Sequence, residues 1–173
     1  MEGARTFWSF KSFSDAPFRH TAKAFLVVLR IGYGLFLFSS GFLKIIDGWL
    51  NTSALQDEFE RRFINLPPGS FQSLYLEWLA IPIAFAIAWM IVWGQIASGI
   101  ALVMGKFERS AAVLTLFFYA NFALGGYLFW QALPTYLLPI VFFILPSGRI
   151  WGVDNINLRK TEIAKIQGDK NEE

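Results

Sequence analysis

Apolar residues in this chain come in four long blocks separated by short polar punctuation. Residues 24–46 carry the run LVVLRIGYGLFLFSSGFLKII, residues 79–104 carry IPIAFAIAWMIVW, and two further blocks cover 111–130 and 133–146. None shows the polar face of a helix half-buried in a soluble core, so each reads as lipid-facing helix. At 1.5 Å rise per residue and ~30 Å of hydrocarbon, the first three are long enough to cross. The fourth is short and holds Pro134, Pro139 and Pro146. It crosses if it starts near Gln131, bends, or meets a thinner bilayer; a re-entrant segment is the alternative.

The sizeable polar interval between the first two blocks, 48–73, contains one patterned stretch. Leu55, Phe59 and Phe63 recur every four residues among Asp57, Glu58, Arg61 and Arg62. Ser53 and Gln56 fit a capping box, and Pro67-Pro68-Gly69 ends the pattern. This predicts a short amphipathic helix lying on the outer face as a lid.

Charge placement supplies the orientation. Arg5, Lys11, Arg19 and Lys23 precede the first block, Lys106 and Arg109 separate the second and third, and Arg149, Arg159, Lys160, Lys165 and Lys170 follow the fourth. The 48–73 loop balances Arg61 and Arg62 with Asp57, Glu58 and Glu60. Positive charge on alternate sides places both termini in the cytoplasm. The expected fold is therefore an all-α integral membrane protein, a four-transmembrane-helix bundle with a short amphipathic helix in the outer loop. Residues 1–22 read as an interfacial segment, 23–154 as the membrane domain and 155–173 as a charged cytoplasmic tail.

Composition narrows the chemistry. The chain is 55% hydrophobic and 16% charged, with no cysteine and one histidine, His20 beside Arg19. Thiolate metal sites, iron–sulfur ligation, dithiol relays and bis-His haem are excluded, and no metal site is expected. His20 reads as an interfacial side chain. The sequence pI near 9.0 follows from the orienting lysines and arginines, so no nucleic-acid partner is expected.

Arg30 is the exception to the apolar pattern. A charge inside a spanning helix costs a few kcal/mol, so it marks a partner, a cavity or a functional site. The helical face through it carries Gly34, Leu37, Gly41 and Lys44. The matching faces are Ala88, Ile91, Gln95, Gly99 and Leu102 in the second block, and Leu114, Phe118, Asn121 and Gly125 in the third. Counted from Lys23, Lys106 and Arg109, the polar groups lie ~10, ~16 and ~18 Å deep for Arg30, Gln95 and Asn121. A hydrogen bond from Arg30 to Gln95 is expected, with snorkelling of Arg30 to the inner headgroups as the alternative. Gln95 and Asn121 also suit plain helix-to-helix hydrogen bonds. Lys44 and Glu77, at the outer ends of the first two spans, form a candidate pair or stand as separate interfacial charges.

Three motifs carry a family resemblance. They are RIGYG at 30–34 with SGFLK at 40–44, GQIASGIALVMGKFERSAAVLTL at 94–116, and PSGRIWGVD at 146–154. Together they resemble the DoxX/DoxD family of small bacterial and archaeal membrane proteins. Where that family usually has glutamate, this chain has Gln95, which leaves Arg30 a dipole instead of a counter-ion. The resemblance implies a subunit of a quinone-linked oxidoreductase in the cytoplasmic membrane. It would dock to other membrane subunits and lipid and help form a quinone or lipid site from Arg30, Gln95, Asn121, Lys44 and Glu77. No cofactor intrinsic to the chain is expected, a bound quinone is the candidate, and no residue marks itself as catalytic. A purely structural accessory subunit is the alternative. A small transporter ranks below both, because no acidic relay crosses the spans.

Overall fold

A computed structural model describes residues 17–127, 133–145, 147–154 and 156. Among them run the helices α1 (Pro17–Ile46), α2 (Ala54–Ile64), α3 (Phe71–Tyr75), α4 (Ala84–Met104), α5 (Glu108–Leu124) and α6 (Leu133–Ile144), and Val153, Asp154 and Ile156 are helical too. A π-helical turn, Leu76–Ala80, follows α3, and a 3-10 turn, Ser147–Arg149, follows α6. No strand occurs among the described residues. The expected interfacial segment falls largely outside them, as does the charged tail. Residues 17–22 belong to α1, so the first helix starts earlier than the apolar pattern alone suggests.

Two helices are long and apolar enough to cross a bilayer, Thr21–Ile46 within α1 and Ala84–Met104. The second begins five residues later than its apolar block. Pro82 sits in the break, where a ring without N–H cannot continue the ladder. Helix α5 has 17 residues and α6 has 12, with Pro139 inside it. Three helices end alike. Gly48, Gly105 and Gly126 take positive φ of 77°, 63° and 78°, and the next residue's N–H turns back to a carbonyl five positions earlier. That is the Schellman termination, and glycine alone adopts it without strain.

The bundle is organised around the α1–α4 pair. A Cβ at Gly34 would lie 2.9 Å from the Gly99 carbonyl oxygen, and one at Gly99 would lie 2.7 Å from that of Gly34. Gly41 meets the Val92 carbonyl in the same way, at 3.0 Å. The backbones touch along the face that the sequence pattern marked. Two cores flank the pair. One joins Leu55 and Phe59 of α2 to Ala84, Ala88 and Ile91 of α4 and Phe118 of α5. The other joins Tyr33 and Leu37 of α1 to Leu102, Ala111, Ala112 and Phe142.

Helix α2 has the amphipathic character expected, burying Leu55 and Phe59. Its capping box is not formed. Ser53 Oγ donates to Asp57 at 3.2 Å and Gln56 donates to Glu60 at 2.8 Å, while Thr52 Oγ1 accepts from the Ala54 N–H at 3.2 Å. Carboxylate side chains one turn on, Asp57 and Glu60, outcompete the backbone for Ser53 and Gln56. The lid is tied to the far end of α5 instead: Arg62 donates to the Gly126 carbonyl, and the Tyr127 hydroxyl donates to the Glu58 carbonyl at 3.1 Å.

The α1–α4 contact makes a sharp prediction. In Gly99→Ala the new methyl meets backbone on both sides, so stability of the purified protein in detergent should fall by about 1–3 kcal/mol. Gly32→Ala, with nothing within 4 Å, should be neutral or stabilising by up to ~1 kcal/mol. Thermal unfolding of the two variants checks this, and equal losses would show that the helices do not meet at Gly99.

Candidate functional site

Arg30 has no exposed surface. Its Nη2 donates to the Trp151 carbonyl at 2.8 Å, and its Nη1 makes a long contact of 3.5 Å with Ser147 Oγ. Ser147 Oγ donates onward to Glu108 Oε1 at 3.0 Å, and the Gly148 N–H donates to Glu108 Oε2 at 2.6 Å. Glu108 is itself buried, with 2% exposure. It is the first residue of α5, where a carboxylate gains from the helix dipole. The turn before it brings it inward. Gly105 sits at φ +63° and Phe107 at φ +57°, a conformation bulky residues seldom adopt. A Cβ on Gly105 would come 2.8 Å from Arg30 Nη1 and 2.9 Å from Gly152 Cα, so only glycine lets the three segments close. The Asp154 N–H reaches the Gly105 carbonyl at 3.3 Å.

The expected hydrogen bond from Arg30 to Gln95 is therefore not formed, nor does Arg30 escape to solvent. The reason is register. Helices α1 and α4 run antiparallel with Gly34 against Gly99 and Gly41 against Val92. One turn below Gly34, Arg30 lies level with Gly105, and Gln95 lies on the other side of the crossing. Helical side chains lean toward the N-terminus, which carries Arg30 further from Gln95. Counting depth from flanking lysines missed this by about one turn. Glu108 is the residue that sequence reasoning missed. Its signal in the sequence is a single acid between Lys106 and Arg109, in a segment whose basic residues dominate.

Gln95 belongs to a different cluster. Its Oε1 faces Ser40 Oγ at 3.5 Å, and Ser40 Oγ accepts from Lys44 Nζ at 2.9 Å. Lys44 also stands 5.2 Å from the centre of the Trp49 ring. The candidate Lys44–Glu77 pair is absent. Glu77 is exposed, and the ion pair found among the described residues is Arg61–Glu58 at 3.1 Å on α2. Lysine at a helix end folds back to its own preceding turn because Ser40 is four residues away on the same face.

Asn121 stands in a third place. Its Oδ1 accepts from the Tyr75 hydroxyl at 2.8 Å, and its Nδ2 donates to the Phe117 carbonyl at 2.8 Å. The pair borders a cavity of about 40 Å³ whose other walls include Ile91, Phe118, Phe122 and Met90. Burial raises the Tyr75 phenol above its ordinary value, which keeps it a donor at neutral pH. Tyr127, on the same cavity, is pushed up to about 12, chiefly by burial and then by Glu58, with Arg62 and Arg61 opposing. Four of the five sequence candidates thus fall into three separate polar clusters, and Glu77 lies outside all of them. No group of three metal-ligating side chains occurs among the described residues.

Removing one side of the Arg30 cluster strands the other in a medium where it cannot be solvated. Glu108→Ala should destabilise the folded protein by about 3–5 kcal/mol. The double variant Arg30→Met with Glu108→Gln should recover much of that loss. A double-mutant cycle on unfolding in detergent measures the coupling, and strict additivity would show that the two residues do not depend on each other.

A family model, DoxX, matches residues 25–127. The match spans Arg30, Lys44, Glu77, Gln95, Glu108 and Asn121, and stops before the segment that docks on Gly105. No curated protein and no solved structure matches the chain. With two bilayer-length apolar helices and this match, the chain is a small membrane protein that belongs to the DoxX family.

Proposed function

We propose that the protein is a four-span subunit of a quinone-linked oxidoreductase, in a bacterial or archaeal cytoplasmic membrane. It docks to partner membrane subunits and lipid and holds a prenylated ring between α4 and α5. The contacts support the four-span reading. The Arg30 region of α1, the α4–α5 turn and the segment after α6 share one end, with Lys106 and Arg109 beside them. Helix α2 and the end of α5 share the other, tied by Tyr127 and Glu58. The Arg30 half of α1, the basic turn and the segment after α6 together on one side are what cytoplasmic termini would give.

The observation that carries the ligand reading is the Tyr75–Asn121 pair at the edge of an aromatic cavity. The Asn121 amide has a second N–H beyond the one given to the Phe117 carbonyl, and the Tyr75 hydroxyl, donating to its Oδ1, holds the amide in place to offer that N–H to a quinone carbonyl; the remaining lining is largely apolar, as a ring with an isoprenoid tail requires. The cavity of about 40 Å³ takes a ring once Met90 and Phe117 move aside, and both face outward with 44% and 48% exposure. Arg30 has no part in this site. The Arg30 cluster, closed by the chain's own groups, is what a purely structural accessory subunit would also need. Co-purification at fixed stoichiometry with a partner, without quinone binding, would favour that second reading.

The test is quenching of tryptophan fluorescence by a short-chain quinone, with the protein in nanodiscs. Binding should saturate, and Tyr75→Phe should weaken it about fivefold, the worth of a ~1 kcal/mol hydrogen bond. Quenching that never saturates, or that ignores Tyr75 and Asn121 alike, rules the site out.

A further inference from the structure

The first turn of α5 sends its two charges to opposite sides. Glu108 turns inward, where the Ser147 hydroxyl and the Gly148 N–H hold both of its oxygens. Arg109 is exposed, and among the described residues no hydrogen bond, ion pair or ring contact engages it. Ser110 beside it is exposed too, and its hydroxyl has no partner among the described residues. The other carboxylate at this end, Asp154, acts together with Glu108 on Arg30. Neither stands within ion-pair distance of Arg109. Lys106 adds a second positive charge, folded over the Phe107 ring at 4.9 Å. Acidic charge at this end is therefore turned into the bundle, and basic charge faces out.

From Arg109 a groove of about 500 Å³ runs along the outer side of α5, lined by Ser110, Val113, Leu114 and Phe117 and walled by Phe143 of α6. Positions 109, 113 and 117 share one helical face, so the groove follows it for two turns, ~12 Å. That is most of one leaflet's ~15 Å share of the hydrocarbon. The groove has a cationic mouth and an apolar floor, in the order of a lipid's headgroup and upper acyl chain. A free phosphate would fill the mouth and leave Val113 and Phe117 uncovered. A plain hydrocarbon would leave Arg109 unmet. An arginine fork meets a phosphate with two N–H donors side by side, and the Ser110 hydroxyl offers one more. Lys106 next to the mouth favours a lipid of net negative charge over a zwitterion.

We infer that the α5–α6 groove holds one acidic phospholipid, its phosphate on Arg109 and Ser110 and an acyl chain along Val113 and Phe117. The groove and the Tyr75–Asn121 cavity share only Phe117. The lipid site needs no quinone, so either reading can fail without the other.

The full chain carrying Phe143→Trp as a reporter is placed in phosphatidylcholine nanodiscs with rising mole fractions of a brominated lipid. That lipid is phosphatidylglycerol or phosphatidylcholine with the same dibrominated chains. Bromine quenches indole on contact, and subtracting the signal of the parent chain isolates the reporter. Brominated phosphatidylglycerol should reach half-maximal quenching at a mole fraction about fivefold below brominated phosphatidylcholine. Arg109→Gln removes no contact within the described chain and should bring the two lipids level. Lys23→Gln, at an exposed position on α1 at the same end, should leave the preference in place. Equal quenching by the two lipids before any charge is changed overturns the proposal. A preference that survives Arg109→Gln also overturns it, as does one that Lys23→Gln erases equally, the mark of diffuse surface charge. Inorganic phosphate that relieves the quenching more than chloride of equal ionic strength assigns a free-anion site and overturns the lipid reading.

Discussion

A guanidinium sealed from solvent inside a membrane bundle is the constraint to which the rest of this structure answers. Such a group is tolerable only where its charge and most of its donors are met; here Nη1 and Nη2 have partners and Nε does not. The groups that meet it come from the α4–α5 turn and from the segment after α6, more than seventy residues away in sequence. The Arg30 cluster therefore forms only when three parts of the chain arrive together. It fixes the end of the bundle more tightly than apolar packing could, since lipid is as good a solvent for leucine as another helix is. The glycines at 105, 148 and 152 serve this closure. Each would place a Cβ within 3 Å of a neighbour's backbone or of Arg30 itself.

The sequence discloses much of the architecture because its strongest signals are coarse. Apolar blocks mark α1 and α4, apolar residues at every fourth position mark α2, and the glycine face of α1 does contact α4 as its pattern suggests. What stays hidden is relative depth. A difference of one helical turn, about 5.4 Å, decides whether Arg30 meets Gln95 or the Gly105 turn. Hydropathy cannot resolve that, because it does not say where along a long helix the bilayer begins; α1 starts at Pro17, well before the lysine used as its edge. Backbone acceptors are hidden as well. The Trp151 and Gly126 carbonyls that hold Arg30 and Arg62 belong to residues whose identity says nothing about their main chain.

The two ends of the bundle solve different problems. Around Gly105 the polar groups are charged and closed upon one another. At the α2 end they are mostly neutral: Tyr127 to a carbonyl, and Tyr136 to the Tyr127 carbonyl at 3.1 Å. Neutral hydrogen bonds in membrane proteins are individually weak, averaging ~0.6 kcal/mol. Helix α2 therefore rests on its buried Leu55 and Phe59 and on Arg62, whose guanidinium also stands 5.5 Å from the Tyr127 ring.

Position 95 changes meaning once the register is known. In the family this chain resembles, that place usually holds glutamate, which invited the idea that Gln95 deprives Arg30 of its counter-ion. The geometry assigns the loss elsewhere. Gln95 faces Ser40, and through Ser40 it faces Lys44. A carboxylate there would neutralise Lys44, while Arg30 keeps Glu108 in either case. Glutamine leaves Lys44 with a hydroxyl, a carbonyl at 3.4 Å and the face of Trp49. Those direct contacts are all neutral, and the Asp47 carboxylate acts on the ammonium only through space. The departure from the family pattern thus loosens one cation at the lid end and leaves the Arg30 cluster untouched.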